Sequence, residues 1–208
     1  TQECLADIRD SCDRSRDLIQ RIVQFTRQEE KEAEALSVAE IVREAEKLIR
    51  PALPASIAIK VKLAQALPLV KGDATQFYQI LLNLCSNAAT AIQGRAGQIE
   101  IRVDAIDFAE SRSIGKTEFG PGKYVCIAVS DDGCGMNADS IKRATEPFYT
   151  TKPPGDGSGL GLTVVAGIVA GCQGALQFES EEGKGTRVEI WLPASKDKQL
   201  IEKAYREK

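Results

Sequence analysis

The residues best suited to chemistry are two asparagines in the segment QFYQILLNLCSNAATAI, residues 76–92. Asn83 and Asn87 are four positions apart, so a helix would turn both amides toward the same site. An Asn side-chain oxygen is a hard, neutral ligand that suits Mg²⁺, which usually keeps water and phosphate oxygens as its other ligands. Two ordinary surface asparagines are the alternative interpretation, and this pair alone does not decide between the two.

A second candidate is Asp131, the first residue of the segment DDGCGM at the end of a predicted strand. A carboxylate that leaves a strand can accept a hydrogen bond from an exocyclic amine, such as that of adenine. Gly133 and Gly135 allow the positive φ values and the close backbone approach that such a site needs. The alternative is a simple strand-terminating turn, because the pattern D-x-G-x-G is common.

A third candidate is the glycine-rich segment PGDGSGLGL, which runs directly into a predicted helix. Its alternating glycines and the helix N-terminus together could bind phosphate through backbone N–H groups. The spacing differs from the dinucleotide-binding fingerprint, since Leu162 stands where that pattern needs a third glycine. A flexible lid hinge is the alternative interpretation, and both interpretations can hold together.

Two further segments combine glycine with a nearby threonine. In EEGKGTRVEIWLP, the residues Gly183, Gly185 and Thr186 begin the last predicted strand, where an ordinary hairpin turn is the simpler interpretation. The segment SIGKT, residues 113–117, suggests a P-loop, but Glu110 stands where the Walker spacing needs glycine. SIGKT also lies between two predicted strands and opens no helix, so we exclude a P-loop.

Composition excludes several other kinds of site. The 208 residues include no histidine, which rules out His-based metal sites, Ser-His-Asp triads and histidine acid–base chemistry within this chain. The six cysteines form no C-x-x-C pair, so we expect reduced thiols and no zinc site. The formal net charge of −3 provides no strong basic field, so nucleic acid is not expected as a partner.

The sequence shows no signal for export or membrane insertion. No apolar run approaches the roughly 18 residues of a membrane span, and the opening TQECLADIRD is unlike a secretory signal peptide. We therefore expect a cytoplasmic location. Whether a longer parent protein is membrane-anchored stays open.

Hydrophobic periodicity and turn residues predict the elements that must position these candidates. A long amphipathic helix is expected over residues 1–34, with a helix end or linker over 27–35. Residues 109–122 are expected to form a polar loop and residues 144–158 a mobile loop. The remaining predicted elements are helices over 37–50, 73–93, 137–143 and 160–172, and strands over 55–63, 67–73, 97–108, 123–131, 175–180 and 186–193. This order predicts an α/β two-layer sandwich with about five mostly antiparallel strands joined by crossovers.

Taken in order, the segments NLCSN, DDGCGM, EPFYTTK, GDGSGLGL and GKGT closely resemble the N, G1, F, G2 and G3 boxes of sensor histidine kinases. The resemblance covers residues 37–193. It implies the ATP-binding catalytic domain of that family, with the Bergerat-type fold of the GHKL superfamily. In that fold a mixed sheet carries helices on one face, and ATP with Mg²⁺ is held between them under a movable lid.

The resemblance also implies a role for each matched residue. The adenine would be read by Asp131, the Mg²⁺ ligand would be Asn87, and the catalytic contributions would come from Asn83 and Lys152. The other nucleotide-binding residues would be Gly133 and Gly135 at the adenine pocket, Thr186 closing its side, Phe148 in the lid, and Gly157, Gly159, Leu160 and Gly161 at the phosphates.

The N-terminal residues 1–27 resemble the second helix of the dimerisation and phosphotransfer hairpin of the same kinases. The resemblance implies three regions: a helix fragment over 1–34, the catalytic domain over 35–195 and a charged tail or linker over 196–208.

The resemblance also implies that the full protein is a homodimer with two partners. One is a phosphoacceptor-histidine helix of the same or a paired kinase, and the other is a response regulator receiver domain. Because this chain has no histidine, we expect that helix to precede Thr1 in a longer protein; a relative that lacks the histidine is the alternative. Either way, this chain alone should not autophosphorylate.

Three functions are open at this point. Relatives of the superfamily that hydrolyse ATP have a Glu at the position of Asn83, and an amide cannot act as a general base, which favours transfer to a protein over hydrolysis. A nucleotide-gated interaction module without transfer is the second function, and an ATPase is the third. Thr90 stands where many of the kinases have a phosphate-contacting lysine, so that contact is not expected here.

Overall fold

The computed structural model describes residues 34–152 and 157–197, so the predicted N-terminal helix and the tail after residue 197 lie outside the described residues. The helices of the described part are α1 (Val38–Ala52), α2 (Ala74–Ala91), α3 (Ala138–Arg143) and α4 (Gly161–Gly171). Its strands are β1 (Glu34–Leu36), β2 (Ile57–Leu63), β3 (Val70–Gly72), β4 (Gly97–Phe108), β5 (Arg112–Ile114), β6 (Thr117–Phe119), β7 (Gly122–Asp131), β8 (Ala175–Glu181) and β9 (Gly185–Pro193).

Five of these strands form the central sheet, in the order β2-β4-β7-β9-β8. β2 and β4 run parallel, and each of the other neighbouring pairs is antiparallel. Side chains alternate between the two faces of a strand, and on β4 the residues Ile99, Ile101 and Val103 are fully buried on the inner face. The predicted two-layer α/β sandwich, with a mixed sheet and helices on one face, is confirmed.

The helices form where the sequence provides caps and an apolar stripe. Ser37 accepts a hydrogen bond from the backbone N–H of Glu40 at 3.4 Å, and Asp73 accepts one from Thr75 at 2.8 Å, so each caps the N-terminus of its helix. Pro51 lies inside the last turn of α1, so this helix extends to Ala52, beyond the predicted end at residue 50. No helix within residues 34–152 and 157–197 is both long and apolar enough to span a membrane.

The core lies between the helices and the inner face of the sheet. From α2, Phe77, Ile80 and Leu81 are almost completely buried, and from α4 Val165 and Val169 are as well. Fully burying an aliphatic or aromatic side chain of this size stabilises a fold by about 1.5–3 kcal/mol. Such packing fixes α2 and α4 relative to the sheet ends, where the candidate site residues lie.

A small ladder outside the central sheet was not predicted. β1 pairs antiparallel with β3, whereas the sequence had predicted a helix end or linker over 27–35. Ala35 and Leu36 are buried, so this ladder adds apolar contacts next to the start of α1. Val70 of β3 also forms a bridge with Ala194, which connects the end of β9 to the same corner.

The predicted polar loop over 109–122 is instead a β-hairpin, formed by β5 and β6. Ile114 and Phe119 of this hairpin are buried on the outer face of the sheet, opposite the helices. There they join an aromatic cluster that contains Phe108, Tyr124 and Trp191. The Gly-Lys-Thr sequence spans the turn of this hairpin, with Gly115 at φ +59°, so it opens no helix.

Candidate functional site

One end of the inner sheet face carries a row of polar residues from three adjacent strands. Asp131 of β7 is the direct cross-strand partner of Thr186 of β9, and Thr186 is the partner of Ser180 of β8. They lie two positions beyond the inner-face residues Val129, Val188 and Phe178, of which the two valines are buried and Phe178 is partly buried. The three polar residues therefore continue the same face beyond the apolar core. The sheet therefore changes from apolar to polar at the edge where its strands β7 and β8 end.

The Asp131 carboxylate is fixed by backbone donors. It accepts the N–H of Gly133 at 2.8 Å and also the backbone N–H of Thr186. Partial burial raises the pKa of Asp131 above its ordinary value, and the two backbone hydrogen bonds oppose this shift without cancelling it. A carboxylate has about four lone-pair sites, so this one can still accept hydrogen bonds from a ligand.

The loop after Asp131 is held between α2 and the β8–β9 turn. Cys134 donates its N–H to the carbonyl oxygen of Ala91 at 2.9 Å and accepts the N–H of Gly183 at 2.7 Å. A Cβ on Gly133 would lie only 2.7 Å from the Ala91 backbone, and a Cβ on Gly135, at φ +69°, would overlap the carbonyl oxygen of Glu181. Both predicted glycines therefore allow a backbone approach that other residues would prevent.

Ser180 joins this loop to the start of β9, and the sequence analysis did not identify it. Its hydroxyl accepts the N–H of Met136 at 2.8 Å, lies 3.0 Å from the carbonyl oxygen of Gly185 and lies 2.9 Å from the Thr186 hydroxyl. The alternation of FES in β8 places Ser180 on the inner face two residues after Phe178, and this signal was available in the sequence.

Arg95 and Asp132 form a second connection that sequence reasoning missed. The Asp132 carboxylate accepts the N–H of Gln98 at 3.0 Å and pairs with the Arg95 guanidinium at 3.8 Å. Arg95 also donates to the backbone carbonyl of Asp132. Both side chains are about half exposed, so the ion pair itself contributes little, but its hydrogen bonds tie the loop to the start of β4.

The two asparagines of α2 face the N-terminus of α4. A Cβ on Gly161 would lie 3.7 Å from Asn83 Oδ1 and 3.7 Å from Asn87 Nδ2, so both amides approach the same backbone position. Any larger side chain at position 161 would enter the space between them. Hard, neutral amide oxygens suit a Mg²⁺ ion that takes its other ligands from phosphate and water. Asn83 presents its oxygen to this position, whereas Asn87 presents its amide nitrogen, so the Asn87 amide must turn over to act as a metal ligand.

The first turn of α4 also suits an anion. Leu160 is its N-cap residue and makes no side-chain capping bond. The first N–H groups of a helix have no partner within the helix, and the helix dipole adds a partial positive charge there. This end of α4 therefore offers backbone donors next to the two asparagines.

α2 connects the two groups of residues. Asn83, Asn87 and Ala91 recur at a spacing of four and lie on one helix face. The first two contact the Gly161 position, and Ala91 contacts Gly133 beside Asp131. Asn83 and Ala91 are eight positions apart, which corresponds to a rise of about 12 Å along the helix. An elongated ligand with an amine at one end and phosphates at the other would fit along this face.

The predicted lid residues meet at one backbone contact. Phe148 donates its N–H to the carbonyl oxygen of Gly159 at 3.1 Å, and the Phe148 side chain is 64% exposed. A Cβ on Gly157 would lie 2.9 Å from Lys152 Cδ, which places these two positions side by side. Residues 153–156 lie outside the described residues, so the structure describes the lid segment up to Lys152 and again from Gly157.

Tyr149 anchors the N-terminal end of this segment. Its hydroxyl donates to Ser140 Oγ at 3.0 Å, and the Arg143 guanidinium lies 4.1 Å from the centre of its ring. Arg143 also pairs with Glu146 at 2.9 Å.

Thr90 of α2 is exposed and donates its hydroxyl to the carbonyl oxygen of Ser86 at 2.9 Å.

The profile of the histidine kinase-, DNA gyrase B- and HSP90-like ATPases matches residues 72–196, more than half of the chain. The chain belongs to this family. Its ATP-binding domain is of the GHKL type found in sensor kinases, as the five sequence boxes predicted.

Sensor kinases are also among the similar proteins of this GHKL chain. Sensor kinase CckA of Brucella abortus (strain 2308) is 32% identical over 189 residues, which are 91% of this chain and 20% of CckA. Sensor histidine kinase ZraS of Escherichia coli (strain K12) is 37% identical over 139 residues, which are 67% of this chain and 26% of ZraS. The chain thus spans about a quarter or less of the length of these curated relatives.

Solved structures of histidine kinases share the GHKL fold of this chain. The catalytic domain of histidine kinase ThkA matches 79% of this chain and 97% of its own length, with a TM-score of 0.61 at 24% identity. Full-length ShkA in complex with AMPPNP matches 79% of this chain and 31% of ShkA, with a TM-score of 0.61 at 25% identity. The match to ThkA shows the fold alone.

Proposed function

We propose that this domain binds ATP with Mg²⁺ and donates the γ-phosphate to a histidine on a separate phosphoacceptor helix. The observation that carries this proposal is the shared face of α2. On it Asn83 and Asn87 meet the N-terminus of α4, and Ala91 meets the loop that holds Asp131. On this proposal, one helix would carry the phosphate-binding end and the amine-accepting end in line.

The adenine end rests on Asp131. Its fixed carboxylate would accept a hydrogen bond from the 6-amino group, and Thr186 would close the side of the base. Gly133 and Gly135 keep the loop close to α2 and to Glu181, which supports the position of the carboxylate at the end of β7.

The phosphate end rests on the amides and the α4 N-terminus. Asn87 would hold Mg²⁺ with Asn83 beside it, and the backbone around Gly157, Gly159, Leu160 and Gly161 would donate to phosphate oxygens. The bound ion would neutralise charge on the transferring phosphoryl group. Lys152 would add a positive charge from the lid, and Phe148 would cover the nucleotide.

The phosphate acceptor must come from outside the described residues. Asn83 provides no general base, so water close to the γ-phosphate would not be activated by it. We propose that the acceptor is the histidine helix of the same or a paired kinase in a homodimeric protein. In this arrangement residues 1–34 belong to the dimerisation hairpin, 35–195 form the catalytic domain and 196–208 form a linker. A response regulator in the cytoplasm would then receive the phosphate.

Calorimetric titration with ATP and Mg²⁺ tests the binding step. The wild-type chain should bind, whereas Asp131→Asn and Asn87→Ala should each lower the affinity by at least about tenfold, the loss expected for one charge-assisted or ligand contact. Asp104→Asn is the matched control, because Asp104 pairs with Arg102 on the outer sheet face and should leave binding unchanged. Absence of binding by folded wild-type protein would refute the proposal.

Radiolabel transfer tests the kinase step. The chain is mixed with γ-labelled ATP and a histidine-bearing hairpin from a related sensor kinase, and the label should appear on the hairpin. Binding without transfer would instead favour a nucleotide-gated interaction module. Multiple-turnover phosphate release would favour an ATPase and would contradict the role given to Asn83.

A further inference from the structure

The Ser180 hydroxyl has one proton and two lone pairs, and the structure accounts for all three. Its contact with the carbonyl oxygen of Gly185 at 3.0 Å requires Ser180 to donate, because a carbonyl has no proton. Its contact with the N–H of Met136 at 2.8 Å uses one lone pair. Only one lone pair is then left for the neighbouring hydroxyl.

The direction of the Thr186–Ser180 hydrogen bond follows from this count. Either hydroxyl could donate across their 2.9 Å separation if the pair stood alone. Since the Ser180 proton is already used on Gly185, the Thr186 hydroxyl must donate to Ser180. Thr186 therefore has no proton left for a ligand and presents lone pairs only.

We propose that Ser180 is a positioning residue that sets base specificity by holding the Thr186 proton, so that the Asp131 and Thr186 side chains both present acceptors to the base. This inference rests on the proposed nucleotide site. Asp131 and Thr186 are direct cross-strand partners, so the carboxylate and the threonine lone pairs lie side by side. A ligand must bring N–H donors to this edge.

The chemistry of purines then decides which bases are accepted. The 6-amino group of ATP offers two N–H donors to two acceptors. Inosine triphosphate (ITP) has a 6-oxo group in that place and one N–H donor, at N1. It can therefore satisfy only one of the two acceptors, and the lone pairs of its 6-oxo oxygen would face those of the other. An unmade hydrogen bond of this kind costs about 1–3 kcal/mol, or roughly 5- to 150-fold in affinity.

The test compares the ratio of the ITP and ATP dissociation constants between variants of the full chain. In Ser180→Ala, Thr186 regains a free proton that it can turn toward the 6-oxo oxygen. The ratio should then fall by about fivefold or more, the size of one net hydrogen bond. A merely structural role of Ser180 would weaken both nucleotides together and leave the ratio unchanged, which would overturn the inference.

A double-mutant cycle shows whether the effect passes through the threonine. Thr186→Val removes the hydroxyl at nearly constant volume, so adding Ser180→Ala to it should no longer change the ratio. Thr186→Ser keeps the hydroxyl and should keep the wild-type ratio. An equal change of the ratio with valine at position 186 would contradict the proposal.

Neutron diffraction of the nucleotide-free protein provides a readout that does not depend on ATP. The deuteron of the Thr186 hydroxyl should point at Ser180 Oγ, and that of Ser180 at the Gly185 carbonyl. The opposite direction would overturn the inference even where ATP binds normally. Correct deuteron positions in a protein that binds no ATP would instead sink the proposed function and leave the polarity of the network standing.

Discussion

Phe148 donates its backbone N–H to the carbonyl oxygen of Gly159 at 3.1 Å, and both residues have a positive φ, at +64° and +66°. A bulky residue in this conformation costs on the order of 1–3 kcal/mol, which the surrounding contacts must offset. A Cβ on Gly159 would overlap the Phe148 backbone. The lid segment that runs from Phe148 to Gly159 is therefore held together at its two ends by one strained backbone contact, directly before α4.

Replacing Gly159 should separate these two ends. In Gly159→Ala the new methyl group displaces the Phe148 backbone, which removes the hydrogen bond and shifts the start of α4. We expect ATP affinity to fall by about tenfold or more, the loss expected when one backbone hydrogen bond to a charged phosphate is removed. The measurement is calorimetric titration with ATP and Mg²⁺.

Gly94→Ala is the matched control for this variant. Gly94 has a similar φ of +72°, but a Cβ there would meet no atom within 4 Å. It should therefore lose about 1–2 kcal/mol of stability through backbone strain alone and keep its nucleotide affinity. Equal losses of affinity in both variants would mean that strain, and not the contact with Phe148, matters.

The second prediction concerns Asp131→Asn in the absence of nucleotide. Burial raises the pKa of this carboxyl, so the folded protein stabilises its ionised form less well than the unfolded chain does. The stabilising contribution of such a group is complete below the unfolded pKa and is lost as the pH rises through the folded pKa. The neutral amide should therefore leave the free energy of unfolding at pH 7 unchanged or raise it by up to about 1 kcal/mol.

Denaturant unfolding of the wild type and the variant at pH 7 and at pH 3 measures this effect. Any advantage of Asp131→Asn at pH 7 should shrink at pH 3, where the wild-type carboxyl is protonated in both states. A loss of several kcal/mol at pH 7 would show that the ionised carboxylate stabilises the fold, against the direction given by its burial. The variant should meanwhile bind ATP at least about tenfold more weakly than the wild type.

The third prediction is the pH dependence of base binding. The ionised form of Asp131 accepts a hydrogen bond from an amine more strongly than the protonated form does. The pKa of this carboxyl lies above its ordinary value. Acidification should therefore begin to weaken binding at a higher pH than an ordinary aspartate would. Adenosine is the suitable ligand because it has no phosphate to titrate, and NMR titration measures its affinity. A constant affinity down to the ordinary aspartate pKa would contradict the raised pKa.

The parts of the site that could be predicted are those that depend on local spacing. The helix period alone brought Asn83 and Asn87 to one face, and the structure places both beside Gly161. The end of an alternating strand placed Asp131 at the sheet edge. In each case the residues that matter lie within one element, so the spacing along the chain fixes their geometry.

The parts that could not be predicted depend on contacts between distant segments. The hairpin of β5 and β6 contains only Ile114 and Phe119 as buried apolar residues, and their aromatic partners lie on β4, β7 and β9. The direction of the Ser180 hydrogen bonds likewise depends on Met136, more than forty positions away in the chain. Propensity along the sequence contains no information on such pairings.

The last prediction concerns thiol reactivity. Burial raises the pKa of Cys85 and of Cys126 to about 12, so at pH 8 only roughly one in ten thousand of these groups is a thiolate. Cys134, in contrast, is exposed in the loop between Gly133 and Gly135. Iodoacetamide should therefore label Cys134 in the native protein, whereas Cys85 and Cys126 should react only after unfolding.

Peptide mass spectrometry after timed labelling provides the measurement, and nucleotide provides the second arm. Because the loop of Cys134 lies against Asp131, saturating ATP with Mg²⁺ should slow its labelling severalfold. Asp131→Asn binds the nucleotide at least about tenfold more weakly, so protection of Cys134 in this variant should require a correspondingly higher ATP concentration. Protection at an unchanged ATP concentration would place the nucleotide elsewhere on the domain, because the Asp131 carboxylate would then contribute nothing to its binding.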